Sequence, residues 1–157
     1  MEKAGLLPAG YRLEWTGLIP SWTSRINQLL DTNVLSELIL RPQPNPGVLR
    51  WAASLEKENV STVALEELLY GLYQRPNAMI WNLAQDFFKK TCAILPVTEE
   101  IARRSAHLRA DFQNRGQTRT QADMLIASTA DVHGLTLVTR NQRDFEGCGI
   151  SILNPFT

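Results

Sequence analysis

Apolar runs and longer segments with helical spacing alternate along most of this chain. The runs are short and several are rich in branched side chains, which is typical of buried strands. We predict strands at residues 26–30, 59–62, 93–97, 135–139 and 150–153. Because helical segments separate these runs, the expected fold is α/β, a three-layer α/β/α domain with a short central parallel sheet.

The intervening segments carry the apolar spacing and the end signals of helices. Asn45 before Pro46 is an N-cap signal, and the helix that it opens is expected to extend through Leu55. Thr98 is the expected N-cap of a long helix, and Gly134 is the expected end of another. The predicted helices cover residues 33–40, 46–55, 63–73, 77–91, 99–116 and 121–132.

The first 25 residues follow no period, because prolines at 8 and 20 and glycines at 5, 10 and 17 interrupt them. We interpret residues 1–25 as an N-terminal extension and residues 26–157 as the domain. The extension is expected to be poorly ordered or to pack on the domain through Trp15 and Trp22. Translation from an upstream start codon is an alternative that the sequence leaves open.

The composition is that of an ordinary globular domain, with 157 residues, 44% hydrophobic, 20% charged and zero formal net charge. With zero net charge, the protein has no overall positive field that would attract nucleic acid, although acidic site residues can mask an equal number of basic ones. No apolar run could span a bilayer and no signal peptide is visible, so a cytoplasmic protein is expected. Cys92 and Cys148 are predicted to be free thiols, and neither His107 nor His133 has zinc-ligand spacing.

Four acidic residues stand where apolar segments meet polar ones: Asp31, Glu67, Asp123 and Asp144. Carboxylates beside buried segments lose hydration and repel one another, so grouping several destabilises a fold unless a cation joins them. Hard oxygen ligands without His or Cys favour Mg²⁺ or Mn²⁺. The set therefore predicts a magnesium or manganese site for phosphoryl chemistry.

In parallel sheets, ligands bind beyond the carboxyl ends of the strands. The predicted sheet brings these acids toward that edge. Asp31 follows one strand and Asp144 lies in the loop after another, whereas Glu67 and Asp123 must reach the edge from helices. Each acid also has an alternative interpretation. Asp31 could be a helix N-cap, Asp123 could favour a helix N-terminus, Asp144 could cap a turn, and Glu66 competes with Glu67.

The motifs DTN, EELLYG, ADMLIAS, TRNQRDF and LNPF occur in this order over residues 29–156. This arrangement resembles PIN-domain ribonucleases, in particular VapC/FitB-type toxins of type II toxin–antitoxin pairs. The resemblance places the family's first three acids on Asp31, Glu67 and Asp123. The fourth falls in the TRNQRDF loop, where Asn141 occupies a position that is acidic in several relatives and Asp144 follows three residues later.

By this resemblance, the expected catalytic residues are Asp31, Glu67, Asp123 and Asp144, and the expected metal ligands are the same four with Asn141. The expected reaction is endonucleolytic hydrolysis of RNA by water activated by Mg²⁺, with Mn²⁺ as a substitute.

Supporting roles are expected from residues around the motifs. Thr139 and Asn33 are expected to orient ligands and waters. Basic residues near the motifs are candidates for contacts with RNA phosphate, with solvated surface as the alternative: Arg115, Arg119, Arg140 and Arg143.

The resemblance also implies partners, namely a small cognate antitoxin, a second copy of the chain in a homodimer, and a structured RNA such as tRNA. Three alternatives stay open. They are a housekeeping PIN nuclease for RNA or DNA processing, a degenerate PIN domain that only binds, and a different Mg²⁺-dependent α/β hydrolase such as a phosphatase.

Overall fold

The computed structural model describes residues 27–157. The expected N-terminal extension, residues 1–25, lies outside the described residues, as does Ile26 at the expected start of the first strand. The strands are β1 (Gln28–Leu30), β2 (Glu58–Ser61), β3 (Cys92–Leu95), β4 (Thr136–Val138) and β5 (Ile152–Leu153). The helices are α1 (Thr32–Leu40), α2 (Pro46–Ala52), α3 (Thr62–Gln74), α4 (Ala78–Thr91), α5 (Glu99–Asn114), α6 (Gln121–His133) and α7 (Gln142–Phe145).

The strands form one sheet in the order β3-β2-β1-β4-β5, and every neighbouring pair is parallel. If the connections follow the right-handed rule for parallel strands, this order puts α1 to α4 on one face of the sheet and α5 with α6 on the other. The predicted α/β fold with a short central parallel sheet is confirmed. Strand order reverses between β1 and β4, and ligands of such sheets bind at this switch point.

The centre of the sheet is fully buried, as a parallel sheet covered on both faces requires. Leu29 and Leu30 of β1 and Leu137 and Val138 of β4 have no exposed surface. Burying each such side chain contributes about 1.5–3 kcal/mol. The residues that immediately follow β1 and β4 are therefore attached to the buried centre of the sheet.

The end signals read from the sequence are confirmed. The Asn45 side chain accepts hydrogen bonds from the backbone N–H groups of Gly47 and Val48, and Pro46 is the first residue of α2. The hydroxyl of Thr98 caps α5. Gly134 ends α6 in the left-handed conformation, with φ 63°.

Most other predicted boundaries were wrong by one or two residues; for example, the strand expected at residues 150–153 is Ile152–Leu153, and the helix expected at residues 99–116 is Glu99–Asn114. Two further differences have a clear physical reason. The helix expected to extend through Leu55 ends at Ala52, because the following residues form tight turns in which Leu55 N–H bonds the Ala52 carbonyl at 3.0 Å. Leu55 is still buried, which is why its apolar spacing resembled a helix. The strand expected at residues 93–97 is Cys92–Leu95, because Pro96 cannot donate to the ladder.

The loop expected after β4 contains an additional helix, α7, which the sequence did not predict. One turn with a single buried residue, Phe145, is too short to show a helical period. In the described part of the chain, no helix is long and apolar enough to cross a membrane.

Candidate active site

Asp31 lies directly after β1, at the switch point of the sheet. Its backbone N–H donates to the Val138 carbonyl at 3.0 Å, which fixes Asp31 beside β4. Its Oδ1 accepts from the Thr32 backbone at 2.7 Å, and its Oδ2 accepts from Asn33 Nδ2 at 2.9 Å and Thr139 Oγ1 at 2.7 Å. Asp31 is the N-cap of α1, so its structural role and its expected role in the site involve the same carboxylate.

The Asp31 carboxylate is buried among other negative charges. Only 5% of the residue is exposed, and its pKa is raised from 3.8 to about 6, chiefly by burial. The charges of Asp123 and Glu67 contribute to this rise, whereas hydrogen bonds from Thr139 and the Thr32 backbone oppose it. The structure therefore brings the charges of these two acids within reach of Asp31, although they come from α6 and α3.

Each of the three acids accepts a hydrogen bond from a threonine hydroxyl. Besides the bond from Thr139 to Asp31, the Thr32 hydroxyl donates to Glu67 Oε2. Thr120 Oγ1, at the N-cap of α6, donates to Asp123 Oδ2 at 2.5 Å and accepts from the Asp123 backbone at 3.0 Å. Hydroxyl donors favour the charged form of a carboxylate and fix its orientation.

The two neighbouring glutamates of α3 lie on different sides of the helix. Glu66 is exposed, whereas Glu67 is half-buried and bonded to Thr32 at the start of α1. This geometry favours Glu67 as the residue of the site.

The loop after β4 approaches the site through its backbone. The Asn141 N–H donates to Thr139 Oγ1 at 3.0 Å, and the Asn141 carbonyl accepts from the Asp144 N–H at 3.1 Å. The Asn141 side chain is exposed and makes no cap bond, while Asp144 is half-buried in the single turn of α7. The structure thus brings the charges of Glu67 and Asp123 near Asp31, and it connects Asn141 and Asp144 to Thr139 through the backbone of the loop.

A hard divalent cation fits the chemistry of this donor set. All three donors are carboxylates, and the charges of Glu67 and Asp123 raise the pKa of buried Asp31. A cation would neutralise this concentration of negative charge. Within residues 27–157, no three His, Cys, Asp or Glu side chains already lie close enough to hold an ion. Joint binding of a cation by Asp31, Glu67 and Asp123 would therefore use bridging waters or closer side-chain positions.

Two residues of the site went unrecognised in the sequence. Thr120 stands three positions before Asp123, which is the spacing of a helix N-terminal capping pair and could have revealed it. Thr32 carries no such signal, because its bond to Glu67 spans 35 positions and depends on the fold.

Comparison with known proteins decides the family. The family model described as PIN domain matches residues 29–147. The chain belongs to the PIN domain family. Toxin FitB of Neisseria gonorrhoeae is 35% identical over 136 residues, which are 82% of this chain and 97% of FitB.

Further members resemble this PIN domain over most of their length. VapC ribonuclease Y4jK of Sinorhizobium fredii is 32% identical, with 82% of this chain and 96% of that protein aligned. The tRNA(fMet)-specific endonuclease VapC of Shigella flexneri is 30% identical over 77% of this chain and 91% of its own.

Solved structures agree. The crystal structure of FitAcB from Neisseria gonorrhoeae superposes with a TM-score of 0.71 and 34% identity, covering 82% of this chain and 97% of that one. A toxin–antitoxin complex from Klebsiella pneumoniae has a TM-score of 0.64 and 25% identity, covering 82% and 98%.

Proposed function

We propose that this PIN domain is a Mg²⁺-dependent endoribonuclease that acts as the toxin of a toxin–antitoxin pair. The observation that carries the proposal is the buried Asp31 carboxylate at the switch point, whose pKa is raised in part by the charges of Glu67 and Asp123. The names of the relatives support the reaction class, because two of them are a ribonuclease and a tRNA endonuclease.

In the proposed mechanism, Asp31, Glu67 and Asp123 would hold the cation, with Asp144 or Asn141 as a fourth group. Bound Mg²⁺, or Mn²⁺ in its place, would supply charge neutralisation at the scissile phosphate and a water of lowered pKa as the nucleophile.

The other residues of the site keep the carboxylates in place. Thr139 and Asn33 fix Asp31 through bonds of 2.7 and 2.9 Å, and the Thr32 hydroxyl fixes Glu67. Neither histidine of the chain is needed as a base, and both are exposed.

Arg140 is the residue best placed to contact an RNA phosphate. Its backbone N–H donates to Asn33 Oδ1 at 3.1 Å, which anchors it beside Asp31. Its exposed guanidinium lies over the Phe156 ring, 5.2 Å from the centroid, so the side chain is oriented before RNA arrives. Arg143, exposed on α7, is proposed as a second phosphate contact.

The proposed substrate is a structured RNA such as tRNA, and the proposed partners are a small antitoxin and a second copy of this chain. The substrate follows the endonuclease of Shigella flexneri, whose name specifies tRNA(fMet). The antitoxin follows the structural relative from Klebsiella pneumoniae, which was solved as a toxin–antitoxin complex.

Mapping of new RNA ends after induced expression tests this proposal. We expect discrete cuts with 5′-phosphate and 3′-hydroxyl ends, growth arrest, and neither effect with Asp31→Asn. Binding of RNA without any cut would support a degenerate module, and turnover of small phosphoesters alone would support a phosphatase. RNA cuts without growth arrest would support a housekeeping nuclease, and so would the lack of an antitoxin gene beside the gene that encodes this protein.

A further inference from the structure

Arg119 links the start of α6, which carries Asp123, to α7, which carries Asp144. It lies in the connection between α5 and α6, immediately before Thr120, whose hydroxyl holds Asp123. Its Nη1 donates to the Arg143 carbonyl at 2.8 Å, and its Nη2 donates to the Glu146 carbonyl at 3.3 Å. Both carbonyls belong to the end of α7, where a helix leaves carbonyl groups without partners of its own.

The guanidinium of Arg119 is also held from a second side. It lies over the ring of buried Phe112, 4.7 Å from the centroid. The same ring supports the backbone that follows α7, because a Cβ at Gly147 would lie 3.4 Å from it. A planar fork held between a ring and two carbonyls has one orientation, which the ammonium of lysine could not reproduce.

We infer that Arg119 is a positioning residue, which fixes α7, and with it Asp144, relative to Asp123 at the start of α6. The segment Arg119–Thr120 holds both: Thr120 orients the Asp123 carboxylate, and Arg119 closes the end of the turn that carries Asp144. This role differs from phosphate binding and from a solvated surface charge, because two N–H groups of Arg119 are directed to protein carbonyls. The catalytic consequence depends on the proposed nuclease function, but the positioning can be measured without it.

Arg115 is a matched control. Its guanidinium carbon lies 4.6 Å from the centroid of the same Phe112 ring, and it carries the same charge. Within residues 27–157, its Nε donates to the Asp111 carbonyl at the end of its own helix, at 3.3 Å. Arg115→Ala therefore removes the charge and the ring contact without touching α7.

Amide hydrogen exchange tests the positioning directly. The informative amides are those of Asp144 and Cys148, which donate to Asn141 and Phe145 inside the loop. Loss of a hydrogen bond from a charged donor should raise their exchange about tenfold in Arg119→Ala, with Arg115→Ala remaining at the wild-type rate. Unchanged exchange in Arg119→Ala would overturn the inference. If the alanine variant fails to fold, Arg119→Lys replaces it, because an ammonium keeps the charge but cannot bond both carbonyls as the planar fork does. Raised exchange is again expected, and unchanged exchange would overturn the inference.

A double-mutant cycle with Asp144→Asn tests whether the positioning matters for catalysis. We expect Arg119→Ala to lower kcat for RNA about tenfold with little change in KM, and to have almost no further effect in the Asp144→Asn background. An equal loss in both backgrounds would contradict action through Asp144. If the wild-type protein cleaves no RNA, the proposed function fails, while the exchange result still decides the role of Arg119.

Discussion

At the scale of single residues, the site depends on how the Asp31 carboxylate is held. Three donors from Thr32, Asn33 and Thr139 surround it, and it is nevertheless buried beside two further acids. The donors favour the charged form, but burial outweighs them, because the pKa rises to about 6. Without a bound cation, the charged form of Asp31 therefore lowers the stability of the folded protein.

This balance predicts a pH dependence of stability in EDTA. Because the pKa of Asp31 is raised from 3.8 to about 6 on folding, the proton binds the folded state more tightly. The resulting stabilisation is complete below the unfolded pKa and is lost as pH rises through the folded one. The full difference between the two pKa values corresponds to about 3 kcal/mol in the free energy of unfolding, and about 1 kcal/mol of this is lost between pH 5 and pH 8.

Urea unfolding of wild type and Asp31→Asn at both pH values measures this effect, because all other titrating groups are common to the two proteins. The wild type should lose about 1 kcal/mol more than the variant between pH 5 and pH 8. Equal losses would show that burial of Asp31 does not destabilise the charged form.

The adjacent glutamates give a second prediction at this scale. Glu67→Gln should reduce RNA cleavage severely, because it removes a charge from the site, whereas the matched control Glu66→Gln should remain near wild type, because Glu66 is exposed. Cleavage rates of the two variants under identical Mg²⁺ decide the matter. A reversed order would mean that α3 presents its other face to the substrate.

At the scale of elements, the position of α7 bears on which residue would supply a fourth polar group to the proposed site. Asn141 contributes its backbone to Thr139 and exposes its amide, whereas Asp144 follows in the turn. We predict that Asp144→Asn lowers the cleavage rate by up to about 100-fold, the upper range for groups that support metal ligands. Asn141→Asp should leave the Mg²⁺ concentration at half-maximal rate nearly unchanged.

Titration of Mg²⁺ against cleavage rate for both variants checks this assignment. A lower half-maximal Mg²⁺ concentration in Asn141→Asp, with little effect of Asp144→Asn, would place Asn141 in the fourth position. No effect of either variant would mean that three carboxylates suffice.

Sequence reasoning succeeded where a local signal exists. The caps at Asn45, Thr98 and Gly134 are local signals, and the structure confirms them. The carboxylates at element ends are local signals as well, and they led to the prediction of a cation site. Contacts that depend on distant segments left no such trace. The Thr32 to Glu67 bond is one example, and the bond from Arg119 to the Arg143 carbonyl is another.

At the scale of the whole molecule, the domain alone accounts for the length of its relatives. FitB aligns over 97% of its own length with 82% of this chain, and the family match begins at residue 29. We therefore predict that a chain starting at Ile26 folds and cleaves RNA at a rate comparable to that of the full chain. Thermal unfolding and cleavage of both chains check this, and loss of solubility or activity would show that residues 1–25 contribute to the domain.

We propose that Asp31, Glu67 and Asp123 act through a divalent cation, and RNA cleavage by the purified protein is the decisive measurement. We predict no cleavage in EDTA, recovery on addition of Mg²⁺ or Mn²⁺, and a loss of more than about 100-fold in folded Asp31→Asn or Asp123→Asn, beyond the loss typical of groups that only support ligands. Full activity in EDTA, or full activity of either variant, would contradict it.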